Sequence, residues 1–197
     1  VSACGTISDF KNYMNFIKYY SDKFKYIFHI PGNHEYYTAG NQNKSINDTM
    51  PFIDLKIRKF VKTLPNVYFL NNNRVTITIN KKKYNFVGST LWTYVEPNKR
   101  KLIESSMNDY CHIIVPDKKK GFRKYTVDDM QKLHKRSVNY IKREMKKLNK
   151  KDTNILLTHH KPILDKNNNF LVHAYETDLK NVLIKSPFKI AAHGHTH

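Results

Sequence analysis

Apolar positions along the chain fall into two periodicities, one helical and one strand-like, that take turns. Phe10, Tyr13, Met14, Ile17 and Tyr20 recur at helical spacing, so residues 8–24 predict a helix with Ser8 as its N-cap. Residues 26–30 form a short apolar strand, closed by Pro31 and Gly32, which open a loop at Asn33 and His34. A polar loop at 41–47 precedes a helix at 50–64, entered through Pro51 in its first turn. Strands follow at 67–70, 75–79 and 84–89, with the lysines at 81–83 in the turn between the last two. Residues 93–124 have weak periodicity and predict a long irregular insertion of the kind that shapes access to a site. Thr126 and Asp129 have capping-box spacing and start a helix reaching to about Leu148. Its apolar face is Met130, Leu133, Ser137, Ile141 and Leu148, while Lys132, Arg136, Arg143 and Lys147 cover much of the rest. A buried strand at 155–157, a short helix at 177–184 and a last strand at 189–192 complete the pattern. Alternating strands and helices imply an α/β class, and no Pro-, Gly- or Ser-rich linker divides the chain, so residues 1–197 read as one domain.

Composition narrows the partners. The 197 residues carry a formal net charge of +19, which favours phosphorylated or polyanionic partners. Residues 118–151 hold 14 Lys or Arg against 3 Asp or Glu. That stretch reads either as a solvated face or as a contact for nucleic acid or an acidic surface, with Lys132, Arg136, Arg143 and Lys147 as the candidate contacts. Cys4 and Cys111 lie in no paired motif, which argues against a disulfide scaffold and for a reducing, cytoplasmic or otherwise intracellular setting. No apolar run approaches the roughly 20 residues of a membrane helix. Val1 in place of Met, and a histidine cluster at the other end, predict a chain cut at both ends.

Histidine placement carries the chemistry. His34, His159, His160, His195 and His197 lie in three loops, each just after a strand, where open α/β sheets place their ligands. One such histidine alone is commonly a hydrogen-bonded surface residue. Three loops of them, with the amide oxygen of Asn33, form a mixed N/O set without thiolate that suits Mn, Fe, Zn, Co or Ni. A histidine acting as covalent nucleophile is the competing scheme, but it leaves the other His-bearing loops without a purpose.

Gly32-Asn33-His34-Glu35, Thr158-His159-His160 and Gly194-His195-Thr196-His197, in that order, resemble the last three of the five motifs of the calcineurin-like metallophosphoesterases. The stretches Gly88-Ser89-Thr90-Leu91-Trp92, Met107-Asn108-Asp109-Tyr110 and Ala174-Tyr175 followed by Asp178-Leu179 are similar to one uncharacterised branch of that family. The resemblance implies an α/β/β/α sandwich around two divalent metal ions, with a bridging hydroxide attacking a phosphomonoester, a phosphodiester or a pyrophosphate. It implies Asn33, His159 and His195 as ligands of the second metal and His197 of the first. His160 is the alternative to His159, His34 assists the leaving group, and Glu35 supports its loop. The Asp-x-His and Gly-Asp motifs are absent from the sequence. They are expected amino-terminal to Val1, so that the chain by itself would bind at most one metal well and have little activity. The alternative is a catalytically degenerate module that holds nucleic acid or protein through its basic helix.

Overall fold

The computed structural model describes residues 10–38, 42–164 and 172–195. Its helices are α1 (Phe10–Ser21), α2 (Met50–Val61), α3 (Arg100–Ser106), α4 (Asp109–His112), α5 (Val127–Met145), α6 (Val172–Tyr175) and α7 (Lys180–Ile184). Its strands are β1 (Ile27–His29), β2 (Val67–Phe69), β3 (Asn73–Ile79), β4 (Lys82–Ser89), β5 (Ile114–Asp117), β6 (Gly121–Lys124), β7 (Thr153–Thr158) and β8 (Ile190–His193). None of the described helices is long and apolar enough to cross a membrane.

Parallel β1 and β2 form one sheet, and β3-β4-β7-β8 form a second in which only the β3–β4 pair is antiparallel. The sheets meet face to face, where Phe28 of β1 stacks on Phe86 of β4 with ring centroids 3.8 Å apart. Strand alternation turns the neighbouring Val87 the other way. Val87 packs with Leu156 of β7, Tyr140 and Ile141 of α5, and Leu179 ahead of α7. On the far side, Tyr13 and Ile17 of α1 and Ile53, Ile57 and Val61 of α2 pack with Val67 and Phe69 of β2. The layer order is therefore helix, sheet, sheet, helix. Each fully buried Ile, Leu or Val in these cores contributes about 1.5–3 kcal/mol. Gly88 lets the sheets approach, because a Cβ there would clash with Leu70.

Several elements differ from the sequence expectations for local reasons. The described part of the first helix is Phe10–Ser21, and the expected cap Ser8 lies outside the described residues. Asn80 and Lys81 alone make the β3–β4 turn, at φ 48° and 63°, the left-handed pair that two-residue hairpins use. Lys82 and Lys83 of the triplet are strand residues. The expected irregular insertion at 93–124 is ordered instead, as α3, α4 and the β5–β6 hairpin. Those elements are four to seven residues long, too short to show a period, yet Ile103, Met107, Tyr110 and Ile113 anchor them in the core. The capping box forms as expected, with Thr126 and Asp129 exchanging side-chain and backbone bonds at the start of α5.

Candidate metal centre

Three strand ends deliver the site. Beyond β1 the chain runs through Pro31 and Gly32 to Asn33, which opens a short 3₁₀ turn over His34–Tyr36. Glu35 holds that loop, since its buried carboxylate accepts the Gly32 N–H at 2.6 Å. Burial pushes the Glu35 carboxyl up to about 7, against the lowering effect of that bond. Beyond β7 the parallel ladder continues, with His159 N–H donating to Ser89 O at 3.3 Å and His160 N–H to Thr90 O at 3.1 Å. Beyond β8, Gly194 N–H donates to Thr158 O and His159 O at 3.2 and 3.1 Å, and His195 follows at φ 69°. That left-handed turn is costly for a histidine and is held by these bonds.

The side chains converge on the imidazole of His159. Its Nε2 lies 3.1 Å from Asn33 Oδ1 and 2.9 Å from His195 Nδ1. His160 donates Nδ1–H to the Thr90 carbonyl at 3.1 Å, which leaves its fully buried Nε2 as an unshared lone pair with no partner. His159, His160 and His195 each place a ring nitrogen within 4.8 Å of the others. Gly32 makes room for this packing, because a Cβ there would clash with the His159 ring. Burial, then the neighbouring His195 and His34, lowers the His159 imidazole to about 3. Burial also pulls His160 well below its ordinary value, with His159 and His195 adding to the effect. Neutral imidazoles present lone pairs, the form in which histidine ligates metals. Donor atoms about 3 Å apart match the edge of a coordination shell whose bonds are about 2.1 Å. Spacing, neutrality and the unpartnered nitrogen of His160 together fit a divalent ion.

The structure sorts the expected residues. Asn33, His159 and His195 come together, and His160 adjoins them. His34 is exposed beside the cluster, its ring stacked on Tyr37 with centroids 4.4 Å apart. His197 lies outside the described residues. Lys132 and Arg136 line a separate cavity with Asp54, Arg58, Asn71 and Trp92. Trp92 joins the two regions, its ring 5.3 Å from that of His160. Lys147 and Arg143 lie 2.9 and 3.9 Å from the buried Glu144, which also pairs with Arg74 at 3.2 Å.

Other contributors come from positions to which the sequence reading assigned no role. Asp109 Oδ1 accepts from Asn33 Nδ2 at 2.8 Å and from Tyr37 OH at 2.5 Å. Tyr37 OH in turn accepts from Asn33 Nδ2 at 3.2 Å. Burial and the Asp109 carboxylate both raise the Tyr37 phenol above its ordinary value. The Tyr175 ring packs 5.1 Å from that of His195. The available signal for Asp109 was an acidic residue set among apolar Met107, Tyr110 and Ile113, a pattern that marks a carboxylate with a buried partner.

Comparison with known proteins agrees with this geometry. Over 131 residues the chain is 31% identical to an uncharacterized protein of Acanthamoeba polyphaga mimivirus. That match covers 66% of this chain and 44% of the relative, so the chain spans less than half of the relative's length. No solved structure matches the chain. The family model described as calcineurin-like phosphoesterase matches residues 3–197, and with two packed sheets between helices and a histidine cluster at the strand ends, the chain belongs to the calcineurin-like phosphoesterase family.

Proposed function

We propose that the protein is a metal-dependent phosphoester hydrolase that uses two divalent ions to cleave a phosphomonoester or a phosphodiester. The observation that carries this reading is the convergence of Asn33 Oδ1 and His195 Nδ1, at 3.1 and 2.9 Å, on Nε2 of the buried, neutral His159 imidazole. Asn33, His159 and His195 would hold one ion, with His160 at its border, and His197 would contribute to the other. Bound divalent ions supply Lewis acidity toward phosphoryl oxygens and make water acidic enough to attack phosphorus near neutral pH.

The remaining work falls to side chains of this chain. The Gly32–Glu35 bond fixes the loop that carries both Asn33 and His34. His34 is exposed and held by its stack on Tyr37, one residue from the ligand amide. From there it protonates the leaving oxygen as the ester bond breaks. The net charge of +19 raises the local concentration of an anionic substrate.

The full-length protein supplied with Mn²⁺ is expected to hydrolyse p-nitrophenyl phosphate or bis(p-nitrophenyl) phosphate. Chelation should stop turnover and Mn²⁺ should restore it. His34→Ala and His195→Ala should each abolish it, and undiminished turnover in both variants overturns the assignment.

A further inference from the structure

Asn33 can turn either end of its amide toward His159, and only the oxygen can ligate a metal. The choice is made by one residue far away in sequence, Asp109, and one four positions on, Tyr37. Asp109 contributes a carboxylate, which accepts hydrogen bonds and cannot donate them. It takes the Asn33 Nδ2 at 2.8 Å. Tyr37 spends its hydroxyl hydrogen on the same carboxylate oxygen, at 2.5 Å, and so offers Asn33 Nδ2 a lone pair at 3.2 Å. Both neighbours of the amide nitrogen are thus acceptors. With Asn33 3% and Asp109 2% exposed, water cannot compensate a reversed amide. A flip would press Asn33 Oδ1 against a carboxylate and turn an N–H pair toward His159.

We propose that Asp109, acting with Tyr37, is a positioning residue that locks the Asn33 amide with its oxygen toward the metal centre. The inference rests on the metal-centre reading above. Asp109 touches neither metal nor substrate in this scheme and acts through Asn33. It also gives the ordered insertion a function. α4 begins at Asp109 and is held by Ile113 N–H donating to Asp109 O at 2.9 Å and by Thr38 N–H donating to His112 O at 2.8 Å. The insertion thereby sets the rotamer of a ligand 76 residues earlier.

The test is a Co²⁺ titration of the full-length protein, followed by visible absorption in a metal-free buffer. Asp109→Leu, close in size but unable to accept, is expected to weaken Co²⁺ binding about 10- to 100-fold, the usual cost of losing a partner behind a ligand. In an Asn33→Ala background the same change should cost nothing further, because no amide remains to orient. Unchanged affinity in a folded Asp109→Leu protein overturns the lock, and so does an equal loss in both backgrounds. If Asp109→Leu does not fold, Asp109→Asn decides. Its amide can donate to a flipped Asn33 as readily as accept from an unflipped one. Halving the competent population predicts a loss of at least about two-fold, again absent with Asn33→Ala, and unchanged affinity overturns the lock. Absence of Co²⁺ binding by the unaltered protein would instead remove the metal-centre reading, and the lock with it.

Discussion

Two regions bury a histidine whose Nε2 has no partner, and they are built for different ends. Under α1, His29 of β1 sits between Tyr13 and Phe69, with its Nδ1 3.0 Å from Tyr13 OH. At the ends of β7 and β8, His160 is as deeply buried and equally short of a partner at Nε2. Burial lowers both imidazoles below their ordinary value, His29 to about 4. Around His29 the neighbouring rings are aromatic, and among the described residues the hydrogen-bond partner of its ring is one hydroxyl, that of Tyr13. Around His160 stand two more imidazoles, with the Asn33 amide at His159. Depth and a shifted titration are therefore shared by a core histidine and a histidine of the candidate centre. The number of converging donor atoms separates them.

The largest expected difference between the regions is in metal binding. His159→Ala should abolish specific Co²⁺ binding and reduce turnover of the full-length protein by at least about 10³-fold. Replacing the other pair together, His29→Leu with Tyr13→Phe, removes a donor and its acceptor and leaves neither unsatisfied. That double variant should bind Co²⁺ as the parent does. A comparable loss in both proteins would erase the distinction.

A second difference concerns pH. The folded-state value of His29 is depressed, from an ordinary 6.5 to about 4, because burial disfavours its charge. The unfolded chain then takes up a proton first as pH falls. The stability held by neutral His29 is complete above about 6.5 and drains away toward 4, by up to about 3 kcal/mol. Denaturant unfolding at pH 7 and pH 4.5 should show a smaller drop in the His29→Leu, Tyr13→Phe protein than in the parent. Equal drops would mean that His29 carries no such linkage.

The smallest effect is steric. Gly32→Ala sets a methyl against the His159 ring and should cost about 1–3 kcal/mol of stability, with weaker Co²⁺ binding as His159 shifts. Among the described residues, no glycine faces the His29 ring in this way. If Gly32→Ala melts and binds as the parent does, the cradle around His159 is looser than its packing implies.

Much of the site was legible along the chain because its signals are local. A strand ended by Pro31-Gly32 opens a loop at Asn33 and His34 whatever surrounds them. The apolar run before His159 and the one before His195 likewise place those residues at strand ends. The basic helix was equally legible, but charge density in sequence said nothing about use. Glu144 draws in Arg143 and Lys147, while Lys132 and Arg136 line a cavity of their own.

By itself, the sequence determined the alternation of strands and helices, the capping box that starts α5, and the three loops that carry histidines. Those follow from side-chain periodicity and backbone preference within a few residues. Only the tertiary structure set His29 among aromatic rings and His159 among converging donor atoms, since both are histidines at strand ends. It also gave His159 and His160 different neighbours. Adjacent residues leaving a strand point to different surroundings, so His159 meets Asn33 and His195 while His160 turns to the Thr90 carbonyl. It alone brought Asp109 to Asn33 across 76 residues. Such a contact depends on how layers pack and leaves no period in the chain.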